Sequence, residues 1–306
     1  MFPEIISSKE WALLEPVNKG WSSDKKYHIK TLSGEQLLLR ISPIEEYETK
    51  KKEYEIIKKY SKLGFNMSMP KEFGTCNDNK NVYMILSWIE GSDLESALPD
   101  LSEKEQYLLG RQAGYILKKI HSVRLEEEDI PKQTKKAKKL DQLARYEGSE
   151  LRIAGDETAI RYVKENIDQI WREDPVYMHG DFHPGNLIYM NDASIGVIDF
   201  NRWEIGDPFE EFYKLESFGT ESSIPYCIGQ IDAYFNDDVP QRFWIANAVY
   251  VAQASLFSIK WAEKFGQHDI DKMKERAIRA FDNFDNFKKI IPKWYTKVPE
   301  EWKIKQ

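Results

Sequence analysis

Over the first ninety residues, apolar positions cluster at the short range of strands. Beyond them the spacing is mostly helical. Residues 27–31 and 36–41 flank Ser33-Gly34, which predicts a hairpin within a strand-rich region from 11 to 41. A turn-rich break, residues 17–24, interrupts that region. Residues 72–88 return to strand, and the apolar run 81–88 reads as buried. Between the two, residues 45–63 are good helix formers with Ile56, Ile57, Tyr60 and Leu63 on one face. Ser42-Pro43 suits the start of that helix and Gly64 its stop. Ser102-Glu103-Lys104-Glu105 is a capping box that opens a helix to about His121. Further helices are expected from Gly155 to Trp171 and from Pro240 to about Ile290. In the last, Phe243, Trp244, Tyr250, Phe257 and Trp261 make an aromatic stripe, more often core than ligand platform. The tail with Trp294, Tyr295 and Trp302 is expected to dock on the helical part.

One stretch departs from these patterns. Residues 176–208 place two polar clusters, His179 to Asn186 and Asp199 to Arg202, around the short apolar runs 187–190 and 195–198. With Asn191-Asp192 as the turn, those runs predict a second hairpin, which brings the polar clusters to neighbouring strand ends. Asp181, Asn186 and Asp199 could then converge. Mg²⁺ takes hard oxygen ligands, commonly one or two carboxylates with water and phosphate completing the shell. Asn186 and Asp199 can supply such oxygens, and Asp181 is close enough in sequence to share the site while accepting a proton. Phosphoryl transfer requires a metal on the nucleotide phosphates, a carboxylate to orient the attacking hydroxyl, and positive charge. Two other readings compete. Asp181-Phe182-His183 could belong to a metallophosphoesterase, or the polar residues could simply cap strands and turns, as Asp207 before Pro208 would.

The pattern His-Gly-Asp-x-His-x-x-Asn followed by Ile-Asp-Phe and Gly-Asp-Pro resembles the aminoglycoside phosphotransferase and choline kinase family. The resemblance runs from about Glu15 to Leu215 and implies an α+β, two-lobed, protein-kinase-like fold. It implies a small β-rich nucleotide-binding lobe over 1–89, ending in a hinge, and a larger, mainly helical catalytic and acceptor-binding lobe over 90–306. Asp181 matches the family's catalytic carboxylate, and Asn186 and Asp199 match its metal ligands. His179, His183, Arg202 and Asp207 fall in supporting positions. Gly20, Ser22 and Ser23 match the loop that covers the phosphates. Ser87 and Ile89 match the hinge that meets the base. Arg40 stands where kinase-like folds carry a strand lysine, with Glu53 as its helix partner by position and Glu55 as runner-up. Arginine keeps the charge but is not interchangeable with lysine. Lys30 or Lys19 could serve the phosphates instead, and a catalytically idle binding protein is a further reading. His121 reads as structural.

Composition narrows the setting. The net charge of −7 argues against a nucleic-acid binder. Cys76 and Cys227 lack metal-like spacing and fit a reducing compartment. No segment has the apolar length to span a bilayer, so a cytoplasmic protein without membrane partners is expected. Residues 124–150 carry blocks of opposite charge, which are usually solvated. From Glu204 to Asp238, nine acids face one base, Lys214. A cleft lined by Glu204, Glu210 and Glu211 would draw in a cationic acceptor, whereas the same acids could equally be solvent face and helix ends. The resulting expectation is Mg²⁺-dependent transfer of the γ-phosphate of ATP or GTP to a hydroxyl of a small molecule, with an aminoglycoside-type antibiotic as acceptor and antibiotic resistance as the outcome. A macrolide, or a metabolite such as choline, methylthioribose or homoserine, is the alternative.

Overall fold

The computed structural model of the protein describes residues 4–18 and 24–303. In chain order the elements are Trp11–Pro16 (β1), Lys25–Thr31 (β2), Gln36–Pro43 (β3), Tyr47–Tyr60 (α1), Asn66–Met67 (β4), Pro70–Cys76 (β5), Asn81–Ser87 (β6) and Ser92–Asp93 (β7). Then come Leu94–Ala97 (α2), Glu103–His121 (α3), Lys136–Glu147 (α4), Glu157–Asn166 (α5), Val176–Met178 (β8), Leu187–Tyr189 (β9), Ile195–Val197 (β10) and Glu204–Gly206 (β11). Thr220–Ser222 (α6), Ile224–Tyr234 (α7), Gln241–Ala262 (α8) and Gln267–Asn283 (α9) complete the order. The chain divides into two compact units. One takes the chain through Ser92 together with Asn186–Arg202, and the other takes Asp93–Gly185 together with the chain from Trp203 onward. Among the described residues, no helix is long and apolar enough to cross a membrane.

The first unit is built on a five-stranded sheet in the order β1-β2-β3-β6-β5. Its neighbouring strands are antiparallel. Because side chains alternate across a strand, Leu37, Leu39 and Ile41 of β3 point to one face, where they join Ile5, Ile29, Tyr83 and Ile85 in a sealed cluster. Each aliphatic side chain fully buried there contributes about 1.5–3 kcal/mol. The intervening positions, Leu38, Arg40 and Ser42, turn to the opposite face. Helix α1 packs on β5 and β6 and buries Tyr54, Ile56, Ile57 and Tyr60. Ser42 does not cap it. Ser42 lies within β3, its hydroxyl donates to Asp24 at 2.8 Å, and a 3-10 turn over Ile44–Glu46 leads into the helix instead. The hairpin expected from the second apolar pair is present. β9 and β10 pair antiparallel, Val197 opposite Leu187, and β10 also pairs in parallel with β4.

The second unit is mainly helical. The capping box forms at the start of α3, with Ser102 and Glu105 satisfying each other's backbone N–H groups. α3 and α7 pack so closely that a Cβ on Gly110 would lie 2.1 Å from the Tyr226 carbonyl oxygen, so only glycine fits. The aromatic stripe of α8 is core, with Phe243, Trp244 and Tyr250 almost wholly buried and α4, α5 and α9 packed around the helix. The helix expected over 155–171 is shorter, Glu157–Asn166, and closes in a 3-10 turn. The tail docks through Trp294, which donates to Glu216 at 2.7 Å, and Tyr295, which donates to Asp232 at 2.6 Å. β8 and β11 pair antiparallel with Glu204 opposite Met178. That ribbon places the start of the His179 loop beside the start of the acid-rich segment.

Candidate active site

In the first unit, register decides which charges share a face. Lys26 of β2 lies directly opposite Arg40 of β3, so both side chains project from the same side of the sheet. Arg40 is only 4% exposed. Its Nη1 donates to Glu53 at 2.5 Å, and its Nε and Nη2 both donate to Asp24, at 3.0 and 2.6 Å. Lys50 of α1 donates to both oxygens of Asp24 at 2.9 Å. Burial pushes the Asp24 carboxyl up, but Arg40 and Lys50 outweigh it and hold its pKa well below the usual carboxylate range. Burial likewise opposes the charge of Arg40, and Glu53, Asp24 and Asp199 together raise its pKa further. Glu53 is thus the helix acid that meets Arg40, while Glu55 pairs with Lys58 on the exposed surface.

Asn186 and Asp199 sit at the same end of the β9–β10 hairpin, where the Ile198 N–H donates to the Asn186 carbonyl at 3.2 Å. Asp199 has φ of 62°, a left-handed conformation that aspartate tolerates better than most residues and that turns the chain out of the strand. Phe200 then packs its ring 5.5 Å from that of Tyr60. The Lys26 ammonium lies 3.8 Å from Asp199. Asn186 and Asp199 offer one amide and one carboxylate, the hard-oxygen set from which Mg²⁺ is held when phosphate and water supply the remaining ligands. Among the described residues, no three His, Cys, Asp or Glu side chains gather as a metal cluster of their own. At the expected hinge, the Ser87 N–H donates to the Met69 carbonyl and Ile89 packs against Gly196. Gly20, Ser22, Ser23 and Lys19 lie outside the described residues. Arg202 is exposed at the end of a 3-10 turn, Phe200–Arg202.

In the second unit, Met178 ends β8 and the His179 loop begins. Gly180 has φ of 79°, and its N–H donates to Glu211 at 2.6 Å. His179 is fully buried and its Nδ1 accepts the Asp181 N–H at 3.3 Å. His183 accepts the Gly185 N–H at 3.2 Å and stacks on Phe218, ring centres 4.9 Å apart. Its Nε2 is 3.7 Å from Asp181 Oδ1. The Lys214 ammonium donates to Asp181 Oδ1 at 2.6 Å. Burial works against the charge of Lys214, yet Tyr213 and Asp181 raise its pKa above the ordinary lysine value. The rings of Tyr213 and Phe218 flank the ammonium. Burial pushes the Glu211 carboxyl up to about 8, so at neutral pH it carries its proton. Its second oxygen is buried without a partner among the described residues, as suits a neutral acid.

Five of the nine acids in the acid-rich segment, Asp207, Glu210, Glu211, Glu216 and Asp232, are buried. Glu204 pairs with Lys135 at 2.6 Å and Glu210 with Lys139 at 2.5 Å. Glu216 accepts from Trp294 and Asn283, and Glu221 pairs with Arg276 and Arg279. Asp207 is fully buried, accepting the N–H groups of Trp171 and Phe209 and the Tyr250 hydroxyl. In the lysine block of 132–139, Lys132 and Lys138 are exposed as expected, but Lys139 is buried because Glu210 needs a counter-ion inside the unit. His121 is buried, hydrogen bonded to Tyr234 at 2.9 Å, and its pKa falls to about 3 through burial. Lys26 and Lys214 escaped the sequence reading, since nothing local separates either from a surface lysine. The one available signal for Lys214 was its isolation among nine acids.

A sheet with a strand arginine paired to a helix acid, followed by a helical unit carrying His-Gly-Asp, has the parts of a kinase-like phosphotransferase. The chain belongs to the phosphotransferase enzyme family, whose profile matches residues 13–244. It is 23% identical over 201 residues to an aminoglycoside 3'-phosphotransferase of Niallia circulans, covering 64% of this chain and 74% of that protein. Its fold is that of the GDP complex of aminoglycoside 2'-phosphotransferase-IIIa, with a TM-score of 0.69 at 15% identity over 91% of this chain and 96% of that one. A spectinomycin phosphotransferase with ADP and spectinomycin is similar at a TM-score of 0.68 and 12% identity, over 92% and 98% of the two chains. The α+β, kinase-like fold is therefore shown.

Proposed function

We propose that this chain transfers the terminal phosphoryl group of ATP or GTP to a hydroxyl of a small-molecule acceptor, with antibiotics as the leading acceptor class. The observation that carries the reading is the setting of Asp181, a half-buried carboxylate held by the buried ammonium of Lys214 on a loop that follows β8. Asp181 orients the acceptor hydroxyl and takes its proton as the bond to phosphorus forms. An ordinary aspartate has a pKa near ~3.9 and is a weak base, so positioning supplies most of its effect. Lys214 holds that carboxylate in place. Asn186 and Asp199 would hold Mg²⁺, which when bound neutralises charge on the phosphates. Gly180, tied to Glu211, fixes the turn from which Asp181 projects.

The named relatives support an aminoglycoside acceptor. A specific observation favours a second reading, an acceptor of lower charge such as a macrolide or a neutral metabolite. The acids at Glu204, Glu210 and Glu221 already have cationic partners, so their charge is spent within the unit rather than offered to a polycation. The test is nucleotide consumption with Mg²⁺, using ATP and GTP, across aminoglycosides, macrolides and small hydroxylated metabolites, with Asp181→Ala as the blank. Turnover that depends on an acceptor and disappears in the variant supports the reading and identifies the acceptor class. Nucleotide binding with no turnover on any acceptor would support an idle binding protein.

A further inference from the structure

We infer that Lys26, on β2, is the cation that meets the nucleotide phosphates in this chain, and that Arg40 instead holds strand and helix together around it. The inference rests on the phosphotransferase reading above. Arg40 is almost wholly buried, and all three of its nitrogens already donate to Asp24 or Glu53. With Lys50, these residues make a buried set of two cations and two anions whose charges cancel. Moving Arg40 onto a phosphate would strand two buried carboxylates, which is costly.

Lys26 has the opposite properties. It shares the sheet face with Arg40, directly across the strand pair. Its ammonium lies 3.8 Å from Asp199, beyond hydrogen-bond distance, so the contact is a loose ion pair. Its side chain is 12% exposed, against 4% for Arg40. A lysine is a compact charge on a flexible stem and can exchange one oxygen partner for another. Asp199 would hold a divalent cation through its carboxylate, and Lys26 would then be free to exchange that carboxylate for a nucleotide phosphate oxygen. Lys30 points to the same face but lies four residues along the strand, about 13 Å away, opposite Gln36 rather than Arg40.

Calorimetric titration of ATP and GTP with Mg²⁺ tests this on the full chain, with AMP and GMP as ligands that lack the outer phosphates. Lys26→Met is expected to weaken triphosphate binding by about ten- to a hundredfold, to leave monophosphate binding unchanged, and to be largely rescued by Lys26→Arg. Arg40→Lys is expected to lower the melting temperature while keeping triphosphate affinity. Unchanged triphosphate affinity in Lys26→Met overturns the inference. So does an equal loss for mono- and triphosphates, which would make Lys26 structural. If the wild-type chain binds no nucleotide, the phosphotransferase reading itself fails, an outcome distinct from a Lys26 variant that binds normally.

Discussion

Arg40 and Lys214 are both buried cations that hold carboxylates, and the two arrangements differ. Arg40 stands between Asp24 and Glu53, with Lys50 closing the group, so each charge has more than one partner. Lys214 pairs at 2.6 Å with Asp181, whose side chain is still 15% exposed. A saturated, neutral cluster in a dry setting is rigid, and its members have little capacity for new partners. An ion pair at a half-buried carboxylate leaves part of that carboxylate open to a further group. The first pattern builds a frame, and the second prepares a site. Charge and burial alone do not separate them, since both cations are nearly inaccessible. The exposure of the anion does: 1% for Asp24 and 15% for Asp181.

The comparison can be broken most directly at Asp181. Asp181→Ala should lower kcat by about 10²–10⁴-fold while leaving nucleotide affinity intact, measured by steady-state turnover and calorimetry. Undiminished turnover would remove Asp181 from the reaction. On the frame side, Asp24→Ala leaves Arg40 and Lys50 without their shared anion and should cost about 3–5 kcal/mol in chemical denaturation. A loss below ~1 kcal/mol, the range of exposed pairs, would show that the cluster is not the frame described here.

Lys214→Met sharpens the other half. It should reduce kcat by about ten- to a hundredfold with nucleotide affinity unchanged, and Lys214→Arg should recover part of the loss. A purely structural lysine would affect melting temperature and leave kcat of the folded fraction alone. The smallest effect is expected at Glu211. In the fold it keeps its proton up to about pH 8, against an ordinary value of 4.5 for the unfolded chain. Between those values the native state binds the extra proton, so this group's contribution to stability is complete below pH 4.5 and is lost as pH rises through 8. Glu211→Gln should flatten the decline in stability across that window, by at most a few kcal/mol. An unchanged pH profile would mean that Glu211 is ionised in the fold.

Much of the fold was legible because its signals are local. The Ser102 capping box and the β2–β3 and β9–β10 hairpins depend on residues within a few positions of one another, and each formed. Ser42 did not cap α1, because a long-range partner, Asp24, claimed its hydroxyl. The charged segments misled for the same reason. Periodicity describes a helix face but not what packs on it, so Lys139 read as solvated although Glu210 awaits it 71 positions later.

The sequence by itself determined the motif order, the strand and helix types, and the candidates Asp181, Asn186, Asp199 and Arg40, because each is written in neighbouring residues. Only tertiary structure decided which charges cancel. Strand register set Lys26 opposite Arg40, and the folding of the acid-rich segment brought Lys214 to Asp181. Coulomb energy depends on distance and on exclusion of water, and neither exists until separate parts of the chain are packed together.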